Sequence, residues 1–150
     1  MAKLHSPIHA GDMLTAFNIK RIYDGFLDKN LPKQEWTHAA HLITGLCLIR
    51  DFGLIEAEAK MPNMIRAFNE TKGGINSDTE GYHHTITIFY LRVLAKFSEE
   101  NRHMNFSKLC AVALQGALGT KDYVFSYYSK ELLFSKEARK IWMESDLLNI

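Results

Sequence analysis

The sequence predicts an all-α fold: a single-domain helical bundle of about six or seven helices, with two central buried helices. Three observations predict it. Apolar residues recur at three- and four-residue spacing along most of the chain. Glycine, proline and capping residues divide it into helix-length segments. Alternation of the strand kind is confined to Thr85-Ile86-Thr87-Ile88-Phe89-Tyr90, which runs on into a helical period at Val93, Leu94 and Phe97. With 150 residues, 47% hydrophobic and 23% charged, the chain suits one packed domain spanning 1–150.

The elements follow in order. Residues 1–11 have no apolar run and are expected to form a flexible N-terminus. A first helix over 12–28 carries Leu14, Phe17, Ile22 and Phe26, and Asn30-Leu31-Pro32 ends it. Thr37 caps a second helix that Gly53 stops at about residue 52. A third, 55–69, contains Pro62 and is expected to kink or split there. Residues 71–78 contain Lys72-Gly73-Gly74 and read as a loop. Ser77 with Glu80 matches a capping box, so the fourth helix is expected over 80–98. Asn105 or Ser107 starts a fifth, which Gly119 ends. Two shorter helices, 122–133 and 135–144, complete the chain.

The second and fourth helices are apolar almost all round, which places them at the centre of a bundle. On the second, His38, His41, Leu42, Gly45, Ile49 and Phe52 share one face. On the fourth, Tyr82, His83, Ile86, Phe89, Tyr90, Val93 and Phe97 do so. Four of the seven histidines therefore lie in the first turns of the two most buried helices. Burial and the positive end of the helix dipole both disfavour imidazolium. The rings are expected to be neutral near pH 7, each with one lone pair for a ligand or a proton.

This arrangement supports several chemistries. His38 and His41, three apart, with His83 from the neighbouring helix form a candidate three-histidine metal set for a divalent transition metal, Zn or Fe. Metal-activated water is then the natural chemistry. Without metal, His83 and Tyr82 are candidate acid/base residues, with Arg66, Asn69, Thr87 and His84 as candidate ligand-binding residues for a small polar molecule. Each has a structural alternative. His41, at the fourth helical position, can pack on Trp36 as a hydrophobic staple. Thr85 and Thr87 can bond back to helix carbonyls, and Arg66 can serve a helix C-terminus. Gly45 leaves room for a ligand or permits close helix packing. The rival overall is a non-catalytic structural or interaction protein, such as a homo-oligomer, whose histidines only hold the core.

Several classes are disfavoured. A net charge of +1 from 18 basic and 17 acidic residues gives no basic stripe, so nucleic acid is not an expected partner. No apolar stretch approaches the ~20 residues of a membrane span, and no signal-like segment opens the chain. A cytoplasmic location is expected. Cys47 and Cys110 sit in apolar helical patterns without metal or redox spacing, and read as buried small hydrophobes. His5, His9 and His103 are expected to be exposed.

Trp36-Thr37-His38-Ala39-Ala40-His41-Leu42, Ile65-Arg66-Ala67-Phe68-Asn69 and Gly81-Tyr82-His83-His84-Thr85-Ile86-Thr87, with Tyr127-Tyr128-Ser129 and Glu137-Ala138-Arg139, resemble a family of small bacterial proteins of uncharacterised activity. The resemblance spans about residues 36–148 and implies no reaction. It implies that the histidine segments are the family's signature, with His38, His41 and His83 as candidate site residues. Where the family pattern has glutamate after the Tyr-His pair, this chain has His84.

Overall fold

The computed structural model describes residues 14–150. The expected flexible terminus 1–11, the start of the first helix, and His5 and His9 lie outside the described residues. Among those described, six α-helices and three short 3-10 helices occur, with no strand. The all-α bundle is therefore what the chain forms.

Helix α1, Ala16–Leu27, starts where Thr15 Oγ1 accepts the Asn18 N–H at 3.1 Å. Ile19, Ile22, Tyr23 and Phe26, spaced at helical period, are its buried stripe. A 3-10 helix, Lys33–Glu35, follows, and the buried Glu35 carboxylate is held by Arg21 at 2.8 Å.

Helix α2, His38–Thr71, begins at the expected cap, with Thr37 Oγ1 accepting the Ala40 N–H at 3.2 Å. It spans the second and third expected helices, which meet at a kink. Its one non-helical residue is Gly53, at φ 82° and ψ 168°, a region almost confined to glycine. The break thus falls at Gly53 and not at Pro62, which α2 carries within regular helix. By length and composition alone α2 is apolar enough to cross a membrane, contrary to the sequence expectation, but half of that stretch is buried against the rest of the chain.

Helix α3, His84–Glu100, starts four residues later than the capping-box pattern implies. Ser77 Oγ does accept the Glu80 N–H at 3.3 Å, but it closes a turn within the loop. The true cap is His83. Helix α3 runs along α2, and Gly45 sets their approach: a Cβ there would stand 3.0 Å from Leu94 Cδ1. Gly45 permits this close packing, and it also lines the cavity beside His38 and His41.

Helix α4, Phe106–Gln115, is capped by Asn105. A 3-10 helix, Ala117–Gly119, follows it. The last third is less helical than expected: a 3-10 helix Tyr123–Ser126, then α5, Lys130–Leu133, and α6, Lys136–Lys140, capped by Ser129 and Ser135. The Ser129 cap divides the first of the expected helices, and the second ends at Lys140. Beyond α6 the chain is pinned to the bundle. Thr85 Oγ1 donates to Ile141 O at 2.8 Å, and the Tyr128 hydroxyl donates to Met143 O at 2.7 Å. Cys47 and Cys110 are free and fully buried, as expected of small core hydrophobes, and burial pushes both thiols up to about 12.

Candidate functional site

The three histidines of the expected metal set each spend one ring nitrogen on a backbone carbonyl. His38 Nε2 lies 2.9 Å from Leu118 O, His41 Nδ1 lies 2.7 Å from Thr37 O, and His83 Nε2 lies 2.7 Å from Leu133 O. A carbonyl only accepts, so each of these nitrogens carries the proton and each tautomer is fixed. Burial lowers the pKa of all three rings, His41 down to about 4. The rings are neutral near pH 7, as the sequence implies.

The remaining nitrogens separate them. His83 Nδ1 accepts the Ile86 N–H at 3.2 Å, so both of its nitrogens serve the backbone. It is the N-cap of α3 and ties that helix to the end of α5. It has no lone pair left for a metal or for proton abstraction. Among the described residues no three His, Cys, Asp or Glu side chains form a group able to hold a metal ion. The structure does not bring His38, His41 and His83 together as the expected three-histidine set. The expected acid/base role of His83 is corrected by its two backbone bonds.

Tyr82 is equally committed. Its hydroxyl is 2.8 Å from His84 Nδ1, and burial pushes it up to about 12. The Arg66 guanidinium lies over the Tyr82 ring at 4.3 Å and donates to Asn63. Asn69 Nδ2 donates to Asn76 Oδ1, which also accepts the Tyr82 N–H, so Asn69 and Asn76 staple the 72–82 loop to α2. Thr87 Oγ1 bonds back to His83 O at 2.8 Å, the expected helix-carbonyl fate. Thr85 does not share it but reaches Ile141 instead. Arg66 and His84 line none of the cavities around these residues, whereas Asn69 lines one of them.

His38 and His41 are placed otherwise. Both halves of α2, the middle of α3 and residues 121–133 line an open-mouthed cavity of about 410 Å³. His38 and His41 line it, with Trp36, Gly45, Thr87, Tyr90 and Lys121. The other walls are apolar: Leu42, Met61, Ile65, Ile86, Leu94, Val124 and Phe125 among them. Trp36 packs on His41 with ring centroids 3.8 Å apart, so the staple geometry is real and positions the imidazole. Since Nδ1 is the protonated nitrogen, Nε2 at the tip of the ring holds the lone pair. Its neighbour His38 packs edge-on against Tyr90 at 5.1 Å and retains a lone pair on Nδ1.

A second cavity of about 450 Å³ shares Trp36, His41, Ile65, Ile86 and Thr87 with the first, and Tyr82, His83 and Asn69 line its far side. A larger groove, about 1030 Å³, opens between α1 and the two halves of α2 and contains none of the candidate residues. Its walls mix Lys20, Asp24, Arg50 and Asp51 with apolar side chains, which fits a solvated cleft better than a selective pocket. Lys121, Val124 and Phe125 were not indicated by the sequence. They reach the site across some 80 residues of chain, and no local pattern announces that.

No family model, curated protein or solved structure matches the chain.

Proposed function

We propose that the chain binds a small molecule in the cavity over the first turn of α2, and that it binds rather than transforms it. The observation that supports this reading is His41: a neutral, tautomer-fixed imidazole set in apolar walls, with its Nε2 lone pair unspent. An apolar concavity of ~300–1,000 Å³ with a few convergent polar groups is the usual form of a ligand site. A general base works best with a pKa near the operating pH. At about 4, His41 is a weak base but a sound hydrogen-bond acceptor, which favours recognition over proton transfer. His83 follows the structural alternative, because both its nitrogens bond to backbone.

The test is titration with 2-naphthol, an apolar probe with one hydroxyl, followed through the imidazole and indole resonances of the isotope-labelled chain. His41 and Trp36 are expected to shift. Ile86→Trp, at a half-buried lining position, is expected to fill the cavity and abolish the shifts while the helical spectrum persists. An unperturbed His41, or an Ile86→Trp variant that binds the probe equally well, overturns the proposal.

A further inference from the structure

The geometry points to a particular class of ligand for this cavity: an amphipathic monoanion, with a compact apolar body, a hydroxyl or N–H directed at His41 Nε2, and an anionic group at the mouth beside Lys121. The inference rests on the binding reading above and specifies what is bound.

The donor follows from the tautomers. His41 Nδ1 is held by Thr37 O and His38 Nε2 by Leu118 O, so what both imidazoles offer is a lone pair. A carboxylate oxygen set against either lone pair meets repulsion. A hydroxyl or N–H meets an acceptor whose own orientation is already fixed, so little ordering is needed on binding. The apolar body follows from Leu42, Ile65, Ile86 and Leu94, which make up much of the lining.

The anion follows from the charge of the lining. Lys121 is the one charged residue among the lining residues, and no Asp or Glu accompanies it there. It has no ion-pair partner among the described residues. Its ammonium stands near enough to His38 to depress that ring's protonation. Asp122, the next residue in the chain, is felt at Tyr90 but does not line the cavity. A cationic ligand therefore meets Lys121 with nothing to balance it, whereas an anionic one supplies the missing partner. Because Lys121 is exposed, it acts at the mouth and not at the bottom.

Three naphthalenes with one common body test this by calorimetric titration of the full chain: 2-naphthol, 2-naphthoate and 6-hydroxy-2-naphthoate. The doubly substituted probe is expected to bind tightest. Lys121→Ala is expected to weaken it about fivefold, the scale of an exposed ion pair, and to leave 2-naphthol unchanged. Added salt is expected to shrink that fivefold gap. His41→Phe is expected to weaken both hydroxylated probes about tenfold, the scale of one lost hydrogen bond, and to spare 2-naphthoate. Equal binding of 2-naphthol and 6-hydroxy-2-naphthoate, unaffected by Lys121→Ala, overturns the anion while the site stands. Binding of 2-naphthoate as tight as that of the hydroxylated acid, with no effect of His41→Phe, overturns the donor. Failure of all three probes to bind removes the site itself.

Discussion

At the scale of single residues, His41 and His83 show how one side chain, neutral in both places, half-buried in the first and buried in the second, serves two ends. What separates them is the count of lone pairs left after the backbone has been served. His83 gives its proton to Leu133 O and its lone pair to the Ile86 N–H. Removing it leaves a buried carbonyl and a helix-terminal N–H without partners. His83→Ala is therefore expected to cost about 2–3 kcal/mol, a cap and a buried hydrogen bond together. His83→Asn, which caps but does not reach Leu133, is expected to recover about 1 kcal/mol of that. Urea denaturation of both variants measures the difference, and the affinity for 2-naphthol is expected to be the same in each as in the parent. A stable His83→Ala protein that no longer binds the probe would reverse the assignment of roles.

At the scale of elements, Gly53 decides the course of α2. Nothing lies within 4 Å of a Cβ placed there, so space does not explain the glycine; its backbone does, at φ 82°. Gly53→Ala is expected to cost about 1–3 kcal/mol through backbone strain alone, read as a lower denaturation midpoint with unchanged slope. The same residue shows how far the sequence reached. A glycine at the end of an apolar run signals a break, and the break is there; that helix resumes at the next residue depends on packing, which no local pattern encodes. Ser77 teaches the converse. Its capping pattern is satisfied inside a turn, and the start of α3 is fixed by His83 through Leu133, 50 positions on. The i,i+3 pairing of His38 and His41 on one apolar face was legible because helical geometry is local. The lining by Lys121, Val124 and Phe125 was not, because the short 3-10 segment Tyr123–Ser126 and the turn before it have no periodicity of their own.

At the scale of the whole molecule, the buried titratable groups combine into a pH profile of stability. His38, His41, His83 and His84 all have folded pKa values below the ordinary 6.5, with burial the first cause in each. The unfolded chain then binds more protons than the folded one as pH falls below 6.5, and stability falls with it. For His41 the loss extends down to about pH 4 and amounts to on the order of 2–3 kcal/mol. Cys47 and Cys110 act at the other end. Their thiols are raised from 9.0 to about 12, so the unfolded chain deprotonates first and stability falls as pH rises above 9. The expected profile is a plateau between about pH 6.5 and 9, with an acid limb owed to imidazoles and an alkaline limb owed in part to thiols. Denaturant midpoints across pH 4–10 measure it. Asp51, whose carboxyl Arg50 and Tyr23 hold below its usual 3.8, loses its contribution only below that value, so carboxylates and imidazoles separate along the pH axis. In His41→Phe the slope between pH 6.5 and 4 is expected to flatten. An acid limb of the same slope in parent and variant would mean that His41 titrates freely in the folded chain. The fixed neutral acceptor on which the cavity's ligand chemistry depends would then be lost.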